Sequence, residues 1–249
     1  PHEYFRVLRE EAPVHWQDEC KLPAFLPGPG YWALTRYEDI TFVSKHSEIF
    51  SSAAGSSSLN ELHPRELAMA RFQLIQMDPP KHGAFRKMIS THFTPRALKK
   101  FDADIEAIGK EIVDALVADD LEGECDFVSA VSAPLPIAVI GWLLGVPKPD
   151  WPLLFDWTNR VIGAGDEEFQ TTDDPGESAR TAMVELFTYF TQIVEEKRKN
   201  PEDDLITLFT QLEYEGKRLE LMDVLAWCLI IVVAGNETTR NGTSGGMLA

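Results

Sequence analysis

The stretch Val224-Leu225-Ala226-Trp227-Cys228-Leu229-Ile230-Ile231-Val232-Val233-Ala234-Gly235-Asn236-Glu237-Thr238-Thr239 decides how this chain is read. From about Leu219 through Val233 the residues are apolar on nearly every helical face. A helix of that kind lies in the centre of a larger body. Ala234 to Thr239 then sets an acid and two hydroxyls at the end of the run. A carboxylate buried without a partner is costly, so Glu237 asks for a role. Thr238 lies four residues after Ala234, so its hydroxyl can bond the Ala234 carbonyl and disturb the helix ladder. Gly235 leaves the helix surface bare, and a ligand can approach the backbone there. Glu237 can take up and release a proton. Together these residues describe a notch with a proton source. On these residues alone one alternative stays open: the helix leaves the core here, and the acid and threonines simply meet water.

The rest of the chain sets the frame. It has 249 residues, 44% hydrophobic and 25% charged, enough for one domain with a sizeable core. No signal-peptide pattern follows Pro1, and the longest apolar run, Val224 to Gly235, is shorter than the roughly 20 residues of a bilayer span. A cytoplasmic protein without a membrane segment is expected. Cys20, Cys125 and Cys228 are odd in number and lack metal-site spacing. The net charge of -17 argues against nucleic acid as a partner. That charge is uneven. From Pro79 to Phe101 there is no Asp or Glu, while Lys81, Arg86, Lys87, Arg96, Lys99 and Lys100 crowd together. Such a stretch is either a solvated basic helix face or a docking patch for an acidic partner.

Periodicity predicts a mainly α fold with one small sheet. A strand is expected at Tyr31 to Thr35, after the turn Pro27 to Gly30. Helices are expected at Tyr37 to Lys45, Glu66 to Gln76 and Lys81 to about His92, the last started by Asp78-Pro79-Pro80. Thr94-Pro95 starts a long amphipathic helix carrying Leu98, Phe101, Ile105, Ile108, Ile112 and Leu116. Further helices are expected at Pro134 to Leu144, Trp151 to Ile162, Ala179 to Lys199 and Leu205 to Glu213. Ser51 to Ser58 and Gly163 to Glu177 read as loops.

A second constellation is His82-Gly83-Ala84-Phe85-Arg86, after Met77-Asp78-Pro79-Pro80. Residues four apart share a helix face, so His82 and Arg86 point the same way. A guanidinium fork beside an imidazole N–H suits a carboxylate. Here a resemblance joins the reading of the residues. Ala234-Gly235-Asn236-Glu237-Thr238-Thr239 resembles the oxygen-activation motif of cytochrome P450s, and Asp-Pro-Pro-x-His-x-x-x-Arg resembles their segment that binds the heme propionates. Tyr31 to Thr35, Phe93 to Arg96 and Leu143 to Pro147 also resemble family landmarks, so the likeness covers nearly the whole chain. It implies a cytochrome P450 fold over residues 1–249, a partial domain that stops within the long central helix. It implies heme b (iron protoporphyrin IX) as cofactor, with His82 and Arg86 on the propionates and Ala234 and Gly235 against the ring. Glu237 and Thr238 would serve as the acid and alcohol of proton delivery. The basic stretch from Lys81 to Lys100 would receive a ferredoxin, and O2 and a small hydrophobic substrate would be the reactants.

The sequence departs from the family in one large respect. A P450 needs a cysteine thiolate on the iron, presented in a Phe-x-x-Gly-x-x-x-Cys-x-Gly loop after the central helix. None of the three cysteines has that context, and Cys228 reads as core packing. The expected parent is therefore a longer monooxygenase, and the isolated chain is expected to be inactive. Within the family, residues 234–241 and 159–170 resemble bacterial enzymes that hydroxylate steroids, methyl-branched lipids or terpenoids. The apolar Leu153, Leu154, Phe155, Val161 and Ile162 suit such a pocket. Two other readings compete with it: a class I terpene synthase, whose Asp-Asp-x-x-Asp motif none of Asp119-Asp120, Asp173-Asp174 or Asp203-Asp204 completes, and a non-catalytic helical interaction module.

Overall fold

The structure, a computed structural model, describes residues 2–18, 28–55, 57, 61–117, 123–163 and 166–249. Cys20, Pro27, Ser56, Ser58 and Asp119-Asp120 lie outside the described residues. The chain divides into two compact units, Pro1–Arg86 and Lys87–Ala249.

The first unit holds α1 (His2–Glu11), β1 (Val14–Gln17), β2 (Tyr31–Leu34), α2 (Tyr37–Lys45) and α3 (Pro64–Ala70), and α4 (Lys81–Ser90) begins at its end. The expected strand is present. Its partner β1 pairs antiparallel with it, Val14 opposite Leu34 and Trp16 opposite Trp32. The two indoles meet edge to face at 5.2 Å, the kind of cross-strand aromatic pair that stabilises a short hairpin. α1 and β1 are elements beyond those that the periodicity predicts. The expected helix from Glu66 to Gln76 is split into α3 and a 3-10 turn at Leu74–Gln76. Asp78 does not cap α4 as expected. Its carboxylate accepts hydrogen bonds from the Ser51 hydroxyl and the Ser52 amide, which hold it below the usual carboxylate range. Only the Asp78 backbone carbonyl serves α4, accepting from the His82 amide.

The second unit is a helical body. It comprises α5 (Pro95–Leu98), α6 (Asp102–Val117), α7 (Pro134–Leu144), α8 (Trp151–Ile162), α9 (Pro175–Lys199), α10 (Leu205–Gln211) and α11 (Leu221–Leu248), with a hairpin of β3 (Glu213–Tyr214) and β4 (Lys217–Arg218). Thr94 caps α5 as expected, its hydroxyl accepting from the Ala97 amide at 3.2 Å. The single long helix expected beyond it is interrupted by a 3-10 turn at Lys99–Phe101, where Phe101 packs edge-on to Trp142 at 5.1 Å. The bounds of α7 and α8 agree with expectation, because both carry unmistakable ends. Gly145 closes α7 with φ +72°, a left-handed turn that other residues resist. Pro152 sits in the first turn of α8, where a missing N–H costs nothing.

The core centres on α11, which touches α7, α8, α9 and α10. Val224, Cys228 and Val232 on α11 are fully buried, as are Leu144, Leu154, Leu186, Phe190 and Phe209 around it. The central position read from its all-round apolarity is therefore observed. α11 is also longer than its apolar run: by length and composition alone it could cross a membrane, with mean hydropathy 1.6 over an 18-residue window. Here its apolar half is packed by other helices of the chain, and its second half carries Asn236, Glu237, Arg240 and Asn241.

Candidate functional site

The expected site residues on α11 occupy different sides of one helix. Ala234 and Thr238, one turn apart, are exposed, while Asn236 is completely buried and Arg240 nearly so. The Thr238 hydroxyl donates to the Ala234 carbonyl at 2.7 Å, as the spacing predicts. The helix runs on through that bond unbroken, so the ladder is not interrupted there.

Glu237 is half-buried and not alone. One carboxylate oxygen accepts from Arg240 Nη2 at 2.7 Å and the other from Asn241 Nδ2 at 3.0 Å. The cost of burying the acid is met by its own helix, three and four residues on. Gly235 serves packing: a Cβ there would stand 2.8 Å from Ile140 Cδ1, so the bare position admits α7.

Four residues that sequence reasoning did not single out complete this region. Asn236 Nδ2 donates to Thr158 Oγ1 at 2.8 Å, and Arg240 Nη1 donates to Asn159 Oδ1 at 3.0 Å. The Arg240 guanidinium also stands over the Phe155 ring, 6.0 Å from its centre. A polar residue on the buried side of an otherwise apolar helix was the available signal, and it pointed to Asn236 and Arg240. α8 is pinned on its other side as well. Arg160 pairs with Asp156 and Glu185, and Glu185 also accepts from the Trp157 indole at 3.0 Å. The Arg160 hydrogen bond holds the Glu185 carboxyl below its ordinary range.

His82 and Arg86 lie on α4, four residues apart on one face, the imidazole half-buried and the guanidinium exposed. Neither side chain has a hydrogen-bond or ion-pair partner among the described residues. Of the basic side chains from Lys81 to Lys100, only Lys100 makes an ion pair among the described residues, with Asp203 at 3.7 Å. Paired cationic and imidazole donors without internal acceptors have the chemistry that the two carboxylates of a heme require. Open small side chains at Ala234 and Thr238 suit a flat ring. Each group suits heme by its own chemistry: His82 and Arg86 in the first unit for the propionates, Ala234 and Thr238 in the second for the face of the ring.

Among the described residues no cysteine is identified as its axial thiolate. Cys228 is fully buried, and desolvation pushes its thiol far above the ordinary range, so it stays protonated. Cys125 is exposed and unbonded. No cluster of three His, Cys, Asp or Glu side chains among the described residues could hold a metal. Of the acidic pairs named against a terpene synthase, the two among the described residues serve helix ends: Asp174 caps α9 and Asp204 caps α10. A cleft of about 670 Å³ lies away from the motif, lined by His92, Phe101, Trp142 and Asp203 among others.

The chain is 35% identical over 245 residues to the methyl-branched lipid omega-hydroxylase of Mycobacterium tuberculosis, covering 98% of this chain and 56% of that protein. It is 37% identical over 250 residues to the steroid C26-monooxygenase of the same organism, again covering 98% and 56%. Among solved structures it superposes on a Mycobacterium marinum cytochrome P450 in complex with pseudoionone, with TM-score 0.85 and 32% identity over 97% of this chain and 58% of that one. The chain is a relative of the bacterial cytochrome P450s. Its fold is that of the matching part of a P450, mainly helical with small sheets. No family model matches the chain. The chain spans a little over half the length of the curated P450 relatives it matches.

Proposed function

We propose that residues 1–249 are an incomplete P450 domain of a heme monooxygenase that inserts one oxygen atom from O2 into a C–H bond of a hydrophobic substrate. The observation that carries this reading is the pairing on α11: a hydroxyl presented on an open face beside a carboxyl held in place by its own helix. When bound, heme supplies the iron chemistry that activates O2; the protein supplies position, protons and exclusion of water. His82 and Arg86 would hold the propionates. Ala234 would leave room for the ring, whereas Gly235, expected beside it there, is turned to Ile140 of α7. The Thr238 hydroxyl donates to Ala234, which leaves its oxygen lone pairs free to accept a hydrogen bond from a reactant on the open face. Glu237 would relay a proton from solvent toward that reactant through water, taking up one proton for each it passes on.

Relatives named for methyl-branched lipid and steroid oxidation support a steroid, terpenoid or lipid substrate. The exposed Leu153 and Ile162 of α8 suit that class, whereas Leu154 is fully buried and belongs to the core. The acid-free basic stretch from Lys81 to Lys100, in which only Lys100 makes an ion pair among the described residues, supports a ferredoxin as electron donor, and the kinship with bacterial P450s supports a cytoplasmic location. The test is spectroscopic. The protein containing this chain, expressed with heme, should give the carbon monoxide difference band of a thiolate heme and a type I shift with at least one steroid, terpenoid or branched lipid. The 249-residue chain by itself should give no such band. A thiolate band from the chain alone, or no shift with any of those classes, overturns the reading.

A further inference from the structure

Arg240 is only 9% exposed, and its guanidinium is divided between two helices. One nitrogen donates to Glu237 at 2.7 Å and another to Asn159 on α8 at 3.0 Å. With Asn241 on the second carboxylate oxygen, both contacts of the Glu237 carboxyl lie toward the C-terminal end of α11. A free carboxylate on a helix surface samples several rotamers, and a charge-assisted hold at both oxygens selects one. The second helix is fixed to the first twice over. Asn236 bonds Thr158 and Arg240 bonds Asn159, so neighbouring residues of α8 meet α11 at positions one turn apart. Asn159 is 5% exposed and Thr158 fully buried, so both bonds are shielded from water.

We propose that Arg240 is a positioning residue: it sets where the Glu237 carboxyl stands and, through Asn159, makes that position depend on how α8 is seated. A substrate lying against α8 is then felt at the acid without touching it. The inference rests on the reading of Glu237 as the proton source, and it adds the residue that aims it. A planar fork suits this task, because its two terminal nitrogens are held in fixed directions toward acceptors on different helices.

The test compares Arg240→Gln, Arg240→Lys, Asn159→Ala and Glu237→Gln in the heme-loaded protein that contains this chain. Three quantities are read: the Glu237 rotamer by crystallography, the substrate-induced spectral shift, and turnover with its solvent deuterium isotope effect. Arg240→Gln should move the Glu237 carboxyl, leave substrate affinity within about twofold, lower turnover about tenfold and raise the isotope effect. It should add nothing further in the Glu237→Gln background. Asn159→Ala should act in the same direction with about a threefold loss, and Arg240→Lys should recover only part of the turnover. If Arg240→Gln does not hold heme, the Asn159→Ala and Arg240→Lys results decide. An unmoved Glu237 carboxyl, unchanged turnover, or a loss that multiplies with that of Glu237→Gln overturns the proposal. Full turnover in Glu237→Gln would instead defeat the proton-source reading, and the rotamer comparison would then decide the positioning role by itself.

Discussion

Ala234 and Thr238 stand on the open side of α11, while Asn236 and Arg240, interleaved with them in sequence, stand on the side that α8 covers. The open side uses its polar groups locally: among the described residues, Thr238 bonds its own helix and nothing beyond it. The covered side spends them across the interface, on residues about eighty positions earlier in the chain. Polar side chains on the two sides therefore answer to different demands. On the covered side an unmet hydrogen bond costs stability, because water cannot replace the partner. On the open side stability is indifferent to the side chain, and a hydroxyl there is free to serve chemistry.

Substitutions can break this contrast, beginning with the largest effect. Thr238→Ala should lower turnover of the loaded enzyme by tenfold or more, roughly the scale of a lost proton-transfer group. Its unfolding free energy in urea should stay within about 0.5 kcal/mol of the parent, as for an exposed site. Asn236→Ala should do the reverse, costing about 2 kcal/mol of stability because a buried bond and its packing are lost. The Asn236 carbonyl oxygen is buried without a partner among the described residues. Replacing the pair together, Asn236→Leu with Thr158→Val, should therefore come within about 1 kcal/mol of the parent. A loss as large as that of Asn236→Ala would show that the seam is worth more than its hydrogen bond.

Smaller changes sharpen the same comparison. A methyl added at Gly235 meets Ile140, whereas one added at Gly242 meets nothing within 4 Å. Gly242→Ala should stabilise the helix by up to about 1 kcal/mol. Gly235→Ala should lose about 1 kcal/mol to overpacking, recovered when Ile140→Val removes the obstructing Cδ1. Thermal unfolding of the two singles and the double reads this directly. The weakest effect is expected at the far side of α8. Glu185 has a folded-state pKa below its unfolded value of 4.5, so its ion pair with Arg160 stabilises fully above that pH and is lost as the pH falls below it. Because Glu185 is partly exposed, the contribution should not exceed about 1 kcal/mol. Urea unfolding at pH 7 and pH 3.5 should show it, and Glu185→Gln should remove that part of the pH dependence.

Much of the fold was legible where the chain announces its own ends. α2, α7 and α8 have the expected bounds because prolines, a left-handed glycine and clean apolar spacing mark them. The hydroxyl bond from Thr238 to Ala234 was legible for the same reason, since both atoms belong to one turn of one helix. Elsewhere local reading misled. Asp78 before two prolines reads as a cap, yet its carboxylate is taken by Ser51 and Ser52, which spacing alone cannot place beside it. The helix expected through Leu98 and Phe101 breaks where Phe101 meets Trp142.

The sequence by itself determined that α11 is central, that an acid and an alcohol stand at the end of its apolar run, and that His82 and Arg86 share a face. These follow from spacing along one segment, which helical geometry turns into sides. Only the tertiary structure decided which partner holds Glu237, that Asn236 and Arg240 belong to a seam with α8, and that Gly235 makes room for Ile140. The physical reason is that a buried polar group must find its partner wherever the fold brings one, and that choice is made by the packing of helices distant in sequence.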